Sequence, residues 1–421
     1  MAAIHRRYLA CLFLPLWQFC FLDRGAAQDS ASREIRLARS PGELLPLEVP
    51  RGKGVTFPVD LTTEIFGNLA GGRTRAVIWE SLFIAGMEVD FEQAAGVPGL
   101  NLRVSGLYAA GPSLTNKAVH DFNGLSNTDA YDSVRLYELW LEEVFWDGKI
   151  SIRAGQMLAD AEFFVSDYGA LFINSAFGAI PLVSQNLASP VFPVAAPGLR
   201  LLVSPNDSFY AEAAAFSGDV GDPGTNNKHG TLFSFREDDG ALVIFELGYR
   251  VNPPGEEAAT PTAPAPLAGT YKLGGFYDSG RFQDESGRFS KSGTAGFYVV
   301  AEQELWHSSG KAGQALAVFG RVGMAPEDRN LVPFYFDTGF NFRGIFSSRV
   351  ADTLGIGFSY TQLSDGPAAG GGNEKVVELT YRLALGDHVS VQPDLQVIIH
   401  PGAREDAATA VVAGLRLNLS Y

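Results

Sequence analysis

In the stretch VRLYELWLEE, Leu136, Glu138, Trp140 and Glu142 share one face of an extended chain. Arg135, Tyr137, Leu139, Leu141 and Glu143 share the other. The next stretch, KISIRAGQ, sets Ser151 and Arg153 against Ile150, Ile152 and Ala154 in the same alternation. Gln156, Asp160 and Glu162 follow where that alternation gives way to a long segment containing DYGALFINSAFG. Carboxylates accept hydrogen bonds, guanidiniums donate in a fixed fork, and an indole adds a flat face with one donor. Paired acids such as Asp160 and Glu162 also suit glycoside hydrolysis, which needs a second acid across the scissile bond. These two sit two positions apart on one strand or loop, and no pattern places a partner opposite them.

Other chemistry finds little support. Gly355 and Gly357 lie in a strand pattern with no helix behind them, so they do not form a nucleotide cradle. His120, His229, His307, His388 and His400 are scattered, which fits turns or interfaces better than a metal site. No His-Glu-x-x-His or P-loop motif occurs, and DESGRFSKSGTAG reads as a polar loop instead of a nucleophile elbow. Neither a cofactor nor a metal is expected.

The elements that must position these residues begin after a secretory signal. His5, Arg6 and Arg7 precede the apolar stretch Tyr8–Leu22, and Gly25 and Ala27 suit cleavage before Gln28. Residues 1–27 are read as a cleaved signal, 28–53 as a periplasmic lead-in, and 54–421 as the body of the protein. Both cysteines, Cys11 and Cys20, fall in the signal, which leaves the mature chain without a disulfide or thiolate site. Loss of Arg6, Arg7, Arg24 and Asp23 takes the formal charge from −15 to −17. That balance argues against a nucleic-acid partner.

From Gly54 onward the chain alternates. Val55, Phe57, Val59, Leu61 and Ile65 oppose Thr56, Asp60, Thr62 and Glu64, and comparable runs recur to the last residues, LRLNLSY. About 16 strands are expected, with a turn at Asp147-Gly148 and long connections at Gly111–Ser133, Met157–Pro197, Asp219–Gly240, Pro253–Ala268 and Ser364–Lys375. No later stretch is long and apolar enough for a transmembrane helix, so a membrane location requires a closed transmembrane antiparallel β-barrel. Long connections would then be external, and short turns such as Leu385–His388 periplasmic. A secreted β-sandwich or propeller is the competing architecture. A barrel closing on its last strand accounts for a chain that stops in mid-strand, and the terminal Tyr421 matches the signal by which barrel-assembly machinery recognises its substrates.

The stretches NGLSNTDAYDSVRLYELWLEE, ISIRAGQMLADAEFF, ALFINSAFG and PVAAPGLRLLV resemble the carbohydrate-selective porins of Gram-negative outer membranes, the OprB family. Echoes in EIFGNLAGG, GTYKLGGFYDSG, SVQPDLQVIIHPG and AGLRLNLSY extend the resemblance over nearly the whole mature chain in the family's order. It implies a 16-stranded barrel in the cell outer membrane, embedded in lipid and lipopolysaccharide, that passes glucose and other small sugars passively and saturably. Leu141-Glu142-Glu143 departs from relatives, which tend to carry an aromatic residue and a glutamine there; this bears on sugar preference more than on fold.

Under that resemblance Arg135, Glu138, Trp140, Glu142, Arg153, Asp160 and Glu162 become the candidate pore constriction. Charge is costly on the lipid face, so Glu138 and Glu142 should face the lumen with Trp140 between them. Tyr137, Leu139 and Leu141 should face lipid. Arg135 points outward by parity and joins the set only if the rim turns it in. The segment after Gln156 is expected to fold inward and narrow the pore, as the third loop does in general porins. Alternatives are a porin for anions or organic acids, an outer-membrane barrel enzyme, or a soluble secreted sugar-binding β protein.

Overall fold

A computed structural model describes residues 53–222, 224–234, 239–253, 266–283, 290–308, 313–366 and 370–421. The signal and nearly all of the 28–53 lead-in lie outside the described residues. The strands are β1 (Val55–Thr56), β2 (Val59–Ala70), β3 (Val77–Asp90), β4 (Leu100–Ala110), β5 (Ser133–Phe145), β6 (Ile150–Met157), β7 (Ala196–Val203), β8 (Phe209–Ser217) and β9 (Ala241–Val251). They continue with β10 (Gly269–Gln283), β11 (Ser290–His307), β12 (Ala315–Met324), β13 (Phe334–Arg343), β14 (Thr353–Gln362), β15 (Asn373–Ala384), β16 (Val389–Ile399) and β17 (Ala410–Ser420).

Each strand from β2 to β17 pairs antiparallel with its sequence neighbours. β17 returns to β2, pairing from Val411↔Ala70 to Ser420↔Asp60 with one register shift between Val411 and Val412, so 16 strands close into one barrel. The two-residue β1 pairs with the end of β3. Closure removes the open edge and satisfies the backbone within the sheet, which is what a lipid environment demands. One face of the wall exposes large apolar side chains such as Ile65, Trp79, Leu141, Leu247, Phe297 and Leu379. Between them, polar side chains such as Glu64, Glu142, Glu246 and Glu378 turn inward and are buried. None of the described helices is long and apolar enough to cross a membrane.

Strict antiparallel order sorts the connections between two ends. Residues 146–149, 204–208 and 385–388 turn at one end, while 111–132, 158–195, 218–240, 363–372 and 400–409 connect at the other. The expectation for Pro253–Ala268 needs correction. Val251 pairs with Gly269, which closes this hairpin at the same end as Leu385–His388, although most of the connection (254–265) is not among the described residues. Its length suggested an external loop; strand direction decides otherwise.

The 158–195 segment does not extend away from the barrel. Glu246 on β9 accepts the Phe164 N–H at 3.0 Å, Glu302 on β11 accepts the Tyr168 N–H at 2.9 Å, and Glu378 on β15 accepts those of Ile173 at 2.6 Å and Asn174 at 2.9 Å. Lys272 on β10 donates to the Val165 carbonyl at 2.9 Å. On β12, buried Arg321 donates to the carbonyls of Phe164 at 3.0 Å and Gly178 at 2.8 Å while pairing with Asp337 at 2.6 Å. Attachments on β9, β10, β11, β12 and β15 place the segment across the lumen. The 111–132 connection lies beside it, with Glu374 accepting the N–H groups of Phe122 at 2.6 Å and Asn123 at 3.0 Å. Phe163, Phe164, Phe172, Phe177, Ile180 and Leu182 of the loop are buried against the wall. Each such side chain, fully buried, is worth about 1.5–3 kcal/mol.

Candidate functional site

β5, β6, β7 and β8 carry the charged cluster. In register, Glu142 pairs across to Arg153 and Arg153 to Arg200, so three inward side chains line up over three strands. Arg153 donates to Glu142 at 3.3 Å and to Glu162 of the inward loop. Arg200 reaches Glu142 at 3.1 Å, Glu162 at 3.2 Å and Glu212 at 3.1 Å, and donates to the Ser151 hydroxyl at 2.6 Å. The Arg153 guanidinium carbon lies 3.9 Å from the centre of the Trp140 ring, and the Trp140 Nε1–H donates to Glu138 at 3.2 Å. Glu138 also accepts from Arg103 Nε at 2.8 Å and from Ser105 at 3.1 Å, and Arg103 pairs in turn with Glu88.

Gly155 faces Trp140 across the β5–β6 pair. Its φ is +142°, and a Cβ there would lie 2.2 Å from the Leu139 carbonyl oxygen and 2.9 Å from the Trp140 Cβ. Only glycine lets the two strands close at the aromatic residue.

A bulge corrects the predicted face of Tyr137. β4 and β5 are paired Ser105↔Glu138 and then Gly106↔Leu136, leaving Tyr137 as an extra residue. An extra residue resets the alternation. Ser133, Arg135 and Tyr137 therefore point inward on one side of the bulge, and Glu138, Trp140 and Glu142 on the other. Tyr137 is 5 % exposed and packs edge-on against Phe192, so it does not face lipid. Leu136, expected beside Glu138, is half-buried, and its N–H donates to the His229 carbonyl at 2.9 Å.

The structure therefore joins five of the seven candidates, Glu138, Trp140, Glu142, Arg153 and Glu162, into one network. It does not bring Arg135 or Asp160 into that network. Arg135 is turned inward, contrary to its simple parity, and donates to the Asn227 carbonyl at 3.2 Å. Asp160 accepts the Phe192 N–H at 3.0 Å within the loop. Burial pushes the Asp160 carboxyl up, backbone N–H donors at Phe192 and at Asp160 itself resist, and the Glu138 charge adds to the rise, which ends at about 7. Glu162 goes the other way. Burial raises it, but the Arg153 and Arg200 guanidiniums outweigh this and hold it at about 2.

Arg200, Glu212, Arg103 and Glu88 complete the network and were not among the candidates. The alternation in LRLLV already set Arg200 apart from Leu199 and Leu201, and Glu212 stands alone among alanines in FYAEAAAF. Their neighbours become legible only with the hairpin register that the 204–208 turn fixes.

A closed 16-stranded membrane barrel, with a loop bound across a polar lumen, defines an outer-membrane porin. The family model described as "Carbohydrate-selective porin, OprB family" matches residues 81–421. Porin B of Pseudomonas aeruginosa is 24% identical over 417 residues, covering 88% of each chain. Porin AaxA of Chlamydia pneumoniae is 31% identical over 112 residues, or 25% of each chain. A structure described as the high-pH form of Pseudomonas putida OprB superposes with a TM-score of 0.76 at 22% identity, covering 87% of this chain and 94% of that one. That last likeness concerns the fold. The chain belongs to the OprB family of carbohydrate-selective porins, and is an outer-membrane sugar channel of a Gram-negative bacterium.

Proposed function

We propose that the channel passes neutral monosaccharides such as glucose by passive, saturable diffusion, and that the β5–β8 network forms its constriction. The observation that carries this reading is the double attachment of Glu162. Arg153 and Arg200 on the wall both bind this one loop carboxylate, so the loop edge has a fixed distance from the wall. Within the network the roles divide. Glu142, Glu162, Arg153 and Arg200 pair with one another and set the aperture. Glu88, Arg103 and Glu138, whose side chains are 43%, 13% and 11% exposed, supply the acceptors and donors that meet sugar hydroxyls. Arg135 and Asp160 support the surrounding loops and do not touch solute.

A channel reading also uses the acids that invited a glycosidase. Asp160 is tied to the Phe192 amide and Glu162 to two guanidiniums, which gives both acids a place in holding the loop. We further propose that β17, with Tyr421 just after its last residue, is the strand that barrel-assembly machinery recognises.

The test is conductance of the purified protein in a planar bilayer with glucose and then longer oligosaccharides added. Glucose should reduce the current saturably, and Glu138→Ala and Arg153→Ala should weaken that block while discrete steps persist. Unchanged block and conductance in both variants would sink the constriction assignment. Steps insensitive to every sugar would favour the transport of other small solutes.

A further inference from the structure

On the opposite wall a second inward row runs across β13–β17. Arg343 pairs with Thr353 and Thr353 with Arg382; Gln392, beside the Leu383↔Val391 pair, continues the row to Arg416. All five line one cavity of about 360 Å³ on the turn side of the inward loop, within the roughly 300–1,000 Å³ usual for ligand sites. Arg416 is committed, to Glu64 and to Asn127 at 2.7 Å. Arg343 donates through Nε to the Gly313 carbonyl at 2.8 Å, and the buried Nε of Arg382 has no hydrogen-bond partner. Among the described residues, no carboxylate lies within ion-pair distance of Arg343 or Arg382. Asp167 of the loop and Glu304 of β11 belong to the same lining.

Resting on the sugar-channel reading, we propose that this cavity is a second subsite, selective for sugar acids: a monosaccharide whose carboxylate is held by Arg343 and Arg382 and whose hydroxyls donate to Asp167 and Glu304. No carboxylate of the described residues neutralises either guanidinium, and a solute carboxylate is the planar acceptor that matches the guanidinium fork. A simple anion gains the arginines but is opposed by the two lining acids. A neutral sugar satisfies the acids and leaves Arg382 without a counter-charge. Only a molecule carrying both kinds of group answers the whole lining.

The experiment is current block of the full-length channel in a planar bilayer by D-glucose, D-glucuronate and glucose 6-phosphate, for the wild type, Arg382→Gln and Arg343→Gln. Discrete conductance steps confirm that each variant is folded. Glucuronate should block the wild type at about tenfold lower concentration than glucose, as one charge-assisted hydrogen-bonded pair implies. Either substitution should remove most of that advantage and move glucose block less than twofold. Glucuronate that blocks no better than glucose in the wild type would overturn the subsite, and so would an advantage that survives both substitutions. An arginine-dependent gain confined to glucose 6-phosphate would overturn the assignment to a carboxylate. Loss of glucose block with glucuronate block retained would support the subsite while refuting the neutral-sugar reading.

Discussion

The wall formed by β5–β8 and the wall formed by β13–β17 both present arginines to the lumen, but leave them in different states. On the first, Arg153 and Arg200 meet Glu142, Glu162 and Glu212, and every one of these side chains is under 10% exposed. On the second, threonine and glutamine occupy the positions between the arginines, and the first carboxylate met in register is Glu64, beside Arg416. Residue choice at alternating positions thus decides whether a row of cations holds the barrel and loop together or stays available to solute. A matched row resists disturbance because removing one member strands the others in a medium of low polarity. Both rows leave a guanidinium Nε without a hydrogen-bond partner, at Arg153 and Arg200 in the first and at Arg382 in the second, so the difference between them lies in the carboxylates.

The largest effect should come from the matched row. Arg200→Ala leaves Glu142, Glu162 and Glu212 short of charge and should destabilise the protein by about 5 kcal/mol, read as a lowered unfolding midpoint in detergent. Next is Arg321→Ala on β12. It strands buried Asp337 and releases the Phe164 and Gly178 carbonyls, costing about 3 kcal/mol, and single-channel conductance should rise as the loop loosens. An unchanged conductance would break the link between loop attachment and aperture.

Asp160→Asn should sharpen the contrast through pH. The folded carboxyl keeps its proton up to about pH 7, whereas an unfolded aspartate releases it near 4. Stability is therefore lost as pH rises from about 4 to about 7, since the unfolded state binds fewer protons across that window. An asparagine keeps the acceptor for the Phe192 N–H and has no proton to lose. It should raise the unfolding midpoint at pH 8, by about 1 kcal/mol or more, and leave it near wild type at pH 4. The smallest effect is expected from Arg382→Gln, within about 0.5 kcal/mol, because no partner is stranded. A loss as large as that of Arg200→Ala would show that the second row is structural after all.

Much of this architecture was legible in the chain. A run of about 16 strands, each with one apolar face and one polar face, follows from side-chain alternation. The same alternation placed Glu138, Trp140, Glu142 and Arg153 inward, because a charge in the lipid-facing band is costly. It failed at Tyr137, where one inserted residue reversed the parity of everything before it in β5. It also could not rank the acids. Glu246, Glu302 and Glu378 look like Glu142 in sequence, yet they accept N–H groups from the inward loop.

The sequence by itself determined the run of alternating strands and which side chains turn from lipid, since both depend on local periodicity and the cost of burying charge; its resemblance to the OprB family supplied the barrel's address in the outer membrane. Only the tertiary structure decided what those inward groups are for. Partners of Arg200 and Arg321 come from strands and a loop far apart in the chain, and register, a bulge and loop placement determine which charges meet. Charge pairing depends on distances of a few ångströms, and those are set when the barrel closes.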